Sequence, residues 1–484
     1  MVQRSRKLTR ATAGTERRRL LEQAFERARR EQEVREEFPP AVLEDVTRAV
    51  ADPALPERDE TDLELVTIDP PGSMDLDQAM HIQRDGDGYR VRYAIADVPA
   101  FVRPGGALDA EARLRGMTVY CPDERVPLHP PELSEGAASL LPDVVRPAYV
   151  WDMRLTPEGV RDRADLYRAM VRSRRRYTYE EVQQLVDSGR GEETLMLLKE
   201  VGEHRIRREA ERGGASLPMP EQEVEVGDDG RYRLRLRPLL EAEDWNAQIS
   251  LLTGIVAARV MLDGGVGVLR TMPSPDDAAV ARFRREARAL GAEWPEGMAY
   301  GEFLRSLDRT APSHLAVVDA ATSLFRGAGY TVFDGQLPPE EEREQAAIAA
   351  PYAHVTAPLR RLVDRFGLAV CEALASGREV PSWARDALPL LPDLMDEADD
   401  RARAVERACV TAVEAAVLVD RVGERLPGVV VDGLRDGVLV QLTDPPVSGA
   451  ARGTARLGTE VLVEVVSADV VGSRFELRVL DERP

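Results

Sequence analysis

The sequence predicts an α+β protein with a short N-terminal helical segment and a C-terminal OB-like barrel. Three observations predict it. From about residue 62 to 155, short apolar runs alternate with turn signals. From 180 to 425, apolar residues recur mainly at helical spacing. After Leu426-Pro427 the chain returns to short alternating runs separated by glycine-marked turns. The expected divisions are 1–56, a helical segment; 57–426, a catalytic-type domain; and 427–484, the barrel.

Residues 15–37 read as a charged helix with the thin stripe Leu20, Leu21, Ala24 and Phe25, and a second helix follows Pro39-Pro40 with Val42, Leu43, Val46 and Val50 on one face. His81-Ile82-Gln83, the turn Asp85-Gly86-Asp87-Gly88 and the run 89–97 form a hairpin. A helix over 108–115, strands over 117–120 and 148–155, and a proline-rich irregular stretch over 121–147 come next. Segment 161–179 mixes arginine with Tyr167, Tyr177 and Tyr179, a composition that suits either RNA contact or a solvated face. Residues 180–206 read as helix, 232–238 as an alternating strand, 243–262 as a central apolar helix and 266–271 as a short strand. The stretch 275–378 is expected to be mainly helical, interrupted at 351–361, where Pro358 and the pair Arg360-Arg361 make either an anion-binding corner or a proline-led cap with solvated arginines. A long helix from about 391 to 425 leads to the barrel.

The composition excludes several classes. The three cysteines are far apart and form no CxxC pair, the five histidines lack metal-ligand spacing, and no P-loop, GxGxxG, HExxH or GxSxG motif is present. A disulfide framework and zinc chemistry are therefore not expected, and a reducing, cytoplasmic setting is. No run of about 18 apolar residues exists, so no membrane span is expected. The net charge of −20 argues against a generic nucleic-acid coat. The terminal barrel carries six arginines against nine acidic residues over 428–484, and Phe475 is its one aromatic. It lacks the basic groove and stacking platform of a tight single-strand binder.

The richest stretch is 66–80, VTIDPPGSMDLDQAM. In extended backbone, residues two apart point to the same side, so Asp75 and Asp77 can converge, and the Pro70-Pro71-Gly72-Ser73 turn can fold Asp69 back towards them. Three carboxylates at one point repel unless a cation lies between them, and hard oxygen ligands suit Mg²⁺ or Mn²⁺. The same residues also make an ordinary polar turn, and spacing alone leaves both readings open.

The order of several segments resembles the ribonuclease II family of RNB-fold exoribonucleases. Its leading motif is matched by Ile68-Asp69 followed by Asp75-Leu76-Asp77-Gln78-Ala79; Ala94-Ile95-Ala96-Asp97-Val98 and Thr118-Val119-Tyr120 match the strands after it. Pro131-Glu132-Leu133-Ser134, Tyr179-Glu180-Glu181-Val182, His354-Val355-Thr356-Ala357-Pro358-Leu359-Arg360-Arg361 with Asp364, Glu406-Arg407 and the trailing barrel complete the pattern over roughly 40–481. The resemblance implies a mixed sheet flanked by helices and a 3′-to-5′ exonuclease on single-stranded RNA with a free 3′ end. It releases nucleoside 5′-monophosphates by a divalent-metal mechanism. By the same resemblance Asp69, Asp75, Asp77 and Gln78 hold Mg²⁺ or Mn²⁺, Asp77 and Arg360 are catalytic, and Tyr120, Tyr179, Arg361 and Glu406 contact RNA. Gln78 stands at the motif's fourth acidic position, and Asn246-Ala247-Gln248 stand where the family commonly has glutamates. The family's tandem cold-shock barrels have no counterpart in 1–56, so a short form is expected.

Overall fold

The computed structural model describes residues 6–8, 16–217, 221–226, 232–237, 239–308 and 311–482; Pro238, at the end of the expected strand, and most of the basic chain start lie outside them. After the three-residue strand β1 (Arg6–Leu8) come α1 (Glu16–Glu31) and α2 (Pro40–Ala51). The buried stripe of α1 is Leu21, Ala24, Phe25 and Ala28, and Leu20 is exposed. On α2 the buried face is Val42, Val46 and Ala49, with Leu43 and Val50 outside. These spacings are the i, i+3, i+4 rows of a helix packed on one side.

Next follow β2 (Leu65–Ile68), β3 (Gln78–Asp85), β4 (Gly88–Ala96), α3 (Ala107–Arg115), the ribbon strands β5 (Val119–Tyr120) and β6 (Arg125–Val126), β7 (Val145–Leu155) and β8 (Arg161–Tyr177). The mixed sheet closes on itself in the order β2-β3-β4-β7-β8; β2 and β8 run parallel and the other neighbours antiparallel. Period-two alternation sorts its side chains between two cores. Val66, Met80, Tyr93, Ile95 and Trp151 face the larger core with the helices, and Leu65, Ala79, Ala94, Ala96 and Val150 face a smaller one shared with α2.

The arginine-rich segment is β8, and its cations lace the chain ahead of it. Arg168 pairs with the fully buried Asp97 at 2.6 Å and donates to Ala54 O, Arg174 donates to Thr61 O, and Arg176 donates to Ser73 O at 2.6 Å. Arg58 lies 3.3 Å above the Tyr167 ring. Charge-assisted bonds to main-chain carbonyls thus account for several of these arginines.

The single helix expected over 180–206 is two, α4 (Tyr179–Asp187) and α5 (Glu193–Glu211), broken at Ser188-Gly189-Arg190-Gly191, where Gly189 has φ +66°. After β9 (Glu221–Val226) and β10 (Tyr232–Arg237) comes α6 (Glu241–Gly264), then β11 (Val266–Thr271). An 18-residue window of α6 has mean hydropathy 1.2; the helix is long and apolar enough, by length and composition alone, to cross a bilayer, and half of that window is buried inside the fold, as in a core helix. Its Trp245, Ile249, Leu252, Val256 and Met261 are buried in the large core.

The expected mainly helical stretch contains α7 (Asp277–Ala289), α8 (Tyr300–Ser306), α9 (Pro312–Ala320), but also β12 (Gly329–Asp334), which pairs antiparallel with β11. The short strands β13 (Glu344–Gln345) and β14 (Ala350–Pro351) lead to α10 (Leu362–Ala375), α11 (Ser382–Arg385) and α12 (Leu391–Leu418). Then β15 (Arg425–Leu434), β16 (Gly437–Leu442), β17 (Ser448–Arg452), β18 (Glu460–Asp469) and β19 (Arg474–Glu482) close the expected five-stranded barrel in the order β15-β16-β17-β19-β18. Phe475 packs, partly buried, against both the barrel core and the cluster on α12.

A close approach positions the loop after β14. A Cβ at Gly254 in α6 would overlap the Tyr352 ring and stand 2.6 Å from Ala353 O. Gly254→Ala is expected to destabilise the protein by about 1–3 kcal/mol through overpacking. A drop in the urea midpoint at unchanged m-value checks this.

Candidate active site

Four segments meet at the end of the first barrel. Asp69 leaves β2 with its N–H bonded to Tyr177 O at 3.1 Å, so parallel pairing with β8 sets it beside the start of α4. The turn then closes with Ser73 N–H on Pro70 O, Gly72 at φ +84° in the third position that a type II turn reserves for glycine.

Leu76 divides the two following aspartates. It is fully buried in the smaller core, and Ser139 brackets it: Leu76 N–H donates to Ser139 Oγ at 2.9 Å, and that hydroxyl donates to Met74 O at 2.6 Å. With Leu76 turned inward, Asp75 and Asp77 emerge on the other side. Asp77 is buried; its Oδ1 accepts the Leu359 N–H at 2.8 Å, and its Oδ2 lies 3.7 Å from Arg360 Nε. Asp75 pairs with Arg125 of β6, which also holds Glu135 at 2.7 Å.

The loop bearing Arg360 is fixed from several sides. Asp364 Oδ1 accepts the Ala357 N–H at 2.7 Å, Thr356 Oγ1 meets Ser250 Oγ of α6 at 2.9 Å, and Thr118 N–H donates to Arg360 O at 3.0 Å. Arg361 takes a bidentate bond to the fully buried Asp364, both contacts 2.8 Å, and so faces the interior. Gln78 is a strut: its Nε2 donates to Thr356 O at 2.7 Å and its Oε1 accepts from Tyr93 Oη.

The electrostatics report how close these groups are. Burial, then the neighbouring Asp75 carboxylate, pushes Asp69 up to about 7, against the pull of Arg360 and Arg176. Asp77 is raised well above the usual carboxylate range, by burial first, with Arg360 and the Leu359 N–H opposing. Tyr120, paired across the β5–β6 ribbon with Arg125, is raised to about 12 by desolvation, with Asp75 and Asp77 adding to it and Arg360 opposing. Tyr179 opens α4; its hydroxyl accepts from Asn246 Nδ2 at 3.2 Å, and its pKa is raised by burial and then Asp69.

Asp69, Asp75, Asp77, Tyr120, Tyr179 and Arg360 therefore share one electrostatic neighbourhood. Arg361 is turned onto Asp364 instead. Glu406 lies on α12 next to Val405, which belongs to the same core cluster as Val119 and Val126 of the ribbon. Of the central-helix positions, Asn246 serves Tyr179, Gln248 is spent on Glu209 at 2.7 Å, and Ala247 is exposed. Sequence reasoning missed Arg125, Glu135 and Ser139, which come from the irregular proline-rich stretch where no periodicity marks them. It also missed Arg29, which is buried and anchors the ribbon turn through Asp123 at 3.0 Å and Glu124 at 2.7 Å.

The donor set is of the type a divalent cation takes: acidic oxygens whose like charges raise one another. Among the described residues, however, no three such side chains are grouped closely enough to enclose an ion. Asp75, one of them, is paired with Arg125.

The RNB domain pattern matches residues 57–369, and the pattern of the RNase II-type exonuclease C-terminal S1 domain matches residues 424–480. Ribonuclease R of Escherichia coli (strain K12) is 32% identical over 323 residues, which are 63% of this chain and 39% of that relative's length. Mycoplasma genitalium RNase R, solved in complex with ribose-methylated single-stranded RNA, has the same fold, with TM-score 0.81 at 17% identity over 94% of this chain and 77% of that one. Yeast Ssd1, a pseudonuclease, also shares it, with TM-score 0.64 at 16% identity over 83% of this chain and 52% of that one.

Proposed function

Because this chain belongs to the RNB-domain family, we propose that it is a hydrolytic 3′-to-5′ exoribonuclease that degrades single-stranded RNA to nucleoside 5′-monophosphates, in RNA decay or 3′-end processing. The observation that carries this is the buried Asp77 carboxylate held between the Leu359 N–H and Arg360, with Asp69 and Asp75 at hand. Asp69, Asp75 and Asp77 would hold Mg²⁺ or Mn²⁺, with Gln78 beside them holding the Arg360 loop through Thr356. The chemistry such an ion would supply there is activation of water and stabilisation of charge on the phosphate. Arg360 adds a fixed positive charge where the scissile phosphate lies, which favours the transition state most when water is excluded. Tyr120 and Tyr179 flank the cluster and offer ring faces to the terminal bases. The 2′-hydroxyl provides the means of choosing RNA over DNA.

The test incubates the protein with Mg²⁺ and one labelled RNA, linear with a free 3′ end or circular. Mononucleotides from the linear form alone are expected. A second reading, a catalytically weakened RNA-binding protein of the same fold, draws on the Arg125–Asp75 pair and the neutral Gln78. RNA binding without mononucleotide release in either Mg²⁺ or Mn²⁺ decides for it.

The proton affinity of the cluster predicts a pH effect. Asp69 and Asp77 have folded-state pKa values above their unfolded ones, so their contribution to stability is full below pH of about 4 and is lost as pH rises, for Asp69 through about 7. The metal-free protein is therefore expected to melt lower near pH 8 than near pH 6 on account of this cluster. Added Mg²⁺ should raise the melting temperature more near pH 8, where it does not compete with protons. Equal Mg²⁺ shifts at both pH values would remove these carboxylates from the metal site.

A further inference from the structure

Helix α6 carries a second feature on the side away from the acidic cluster. Asn246 and Ser250 point to the candidate active site, and Ile255, Arg259 and Leu262 lie on a face turned by roughly a third to half a revolution from Ser250. There a cleft of ≈ 330 Å³ opens between α5, α6, the β7–β8 turn and β14. Val160, Ile255, Leu262 and Pro351 form its accessible apolar wall over the buried Leu252 and Val256, and Arg161, Arg205, Arg212 and Arg259 line it; among the described residues no carboxylate does.

The charge balance of this cleft is unusual. Arg205 is 6% exposed, its Nη1 donates to Gly159 O at 3.1 Å, and its Nε has no hydrogen-bond partner. No ion pair to it is present among the described residues. Burial, then the repulsion of Arg212, lowers its pKa to about 10. Arg212 likewise reaches only a main-chain carbonyl, Ile348 O at 3.3 Å. The acid that acts on both is Glu209, and its two oxygens are taken by Gln248 at 2.7 Å and the Ser216 N–H at 3.0 Å. Among the described residues Arg259 alone of the four has a carboxylate partner, Asp263, at 3.0 Å. A buried guanidinium without a counter-charge is costly to hold, and an anion entering the cleft relieves that cost.

We propose that this cleft binds a nucleoside monophosphate, its phosphate among Arg161, Arg205 and Arg212 and its base against the wall formed by Ile255 and Leu262. Arginine forks match phosphate oxygens. The apolar wall and a volume within the usual range of small-ligand sites favour a nucleotide over a bare anion. The site is separate from the acidic cluster, and the inference does not depend on the exonuclease reading.

Calorimetric titration of the full chain with AMP, and separately with inorganic phosphate, tests it. AMP is expected to bind, Arg205→Met to weaken it about tenfold or more, and Arg360→Ala to change it by less than about twofold. Inorganic phosphate is expected to bind more weakly than AMP. Arg212→Ala, at an exposed position, provides a second variant should Arg205→Met fail to fold, and thermal melts of each variant separate lost binding from lost structure. The proposal is overturned if the parent does not bind AMP, or if folded Arg205→Met and Arg212→Ala bind it as the parent does. It also fails if only Arg360→Ala loses binding, or if phosphate binds as tightly as AMP.

Discussion

Asp77→Asn is expected to lower RNA cleavage by about a thousandfold or more, the scale on which one well-placed electrostatic group acts in a buried site, while RNA binding stays near the parent's. The asparagine keeps an acceptor for the Leu359 N–H, which Asp77 now receives at 2.8 Å, so the Arg360 loop keeps its anchor. What is lost is the negative charge facing Arg360 and the neighbouring carboxylates. Burial already penalises that charge, raising the Asp77 pKa, so the variant is expected to melt no lower than the parent near pH 8. Single-turnover cleavage with a binding isotherm and a melt on the same preparation checks all three statements. Cleavage at the parental rate would take Asp77 out of the chemistry.

Asp364→Ala is expected to act through stability first. Asp364 is fully buried, receives both forks of Arg361 and also takes the Ala357 N–H. Removing it leaves a largely buried guanidinium and a buried N–H without partners, a loss of about 3–5 kcal/mol. Arg360 is four residues before Asp364 and shares the loop, so activity should fall as well, more than in an Arg361→Met variant, which removes the cation but leaves Asp364 accepting the Ala357 N–H. Denaturant titration gives the stability, and kcat on linear RNA the activity. A loss under about 1 kcal/mol would mean the loop is held mainly by Ser250, Gln78 and Thr118.

Much of the candidate site was legible because its chemistry is written locally. Asp75 and Asp77 straddle Leu76, and an apolar residue that must be buried turns its two neighbours to the opposite side. Turn residues at Pro70-Pro71-Gly72-Ser73 mark where Asp69 departs. The hairpin of β3 and β4 and the terminal barrel follow from alternation and glycine punctuation. The break between α4 and α5 was also written, in Gly189 and Gly191, and was overrun by the helical spacing on either side. Strand β12 was not legible: six residues in a helix-rich stretch carry little period of their own and become a strand by pairing with β11.

The sequence by itself determined most of the element types, the placing of Asp75 and Asp77 on either side of Leu76 and the arginine excess of β8, because each depends on neighbours within a few residues. Only the tertiary structure decided which charges meet. It brought Leu359 to Asp77 across 282 residues, set Arg125 on Asp75, turned Arg361 inward onto Asp364 and left Arg205 buried with no ion pair among the described residues and its Nε without a hydrogen-bond partner. Coulombic and hydrogen-bond energies depend on distance and burial, and neither is set by spacing along the chain once the partners lie on different elements.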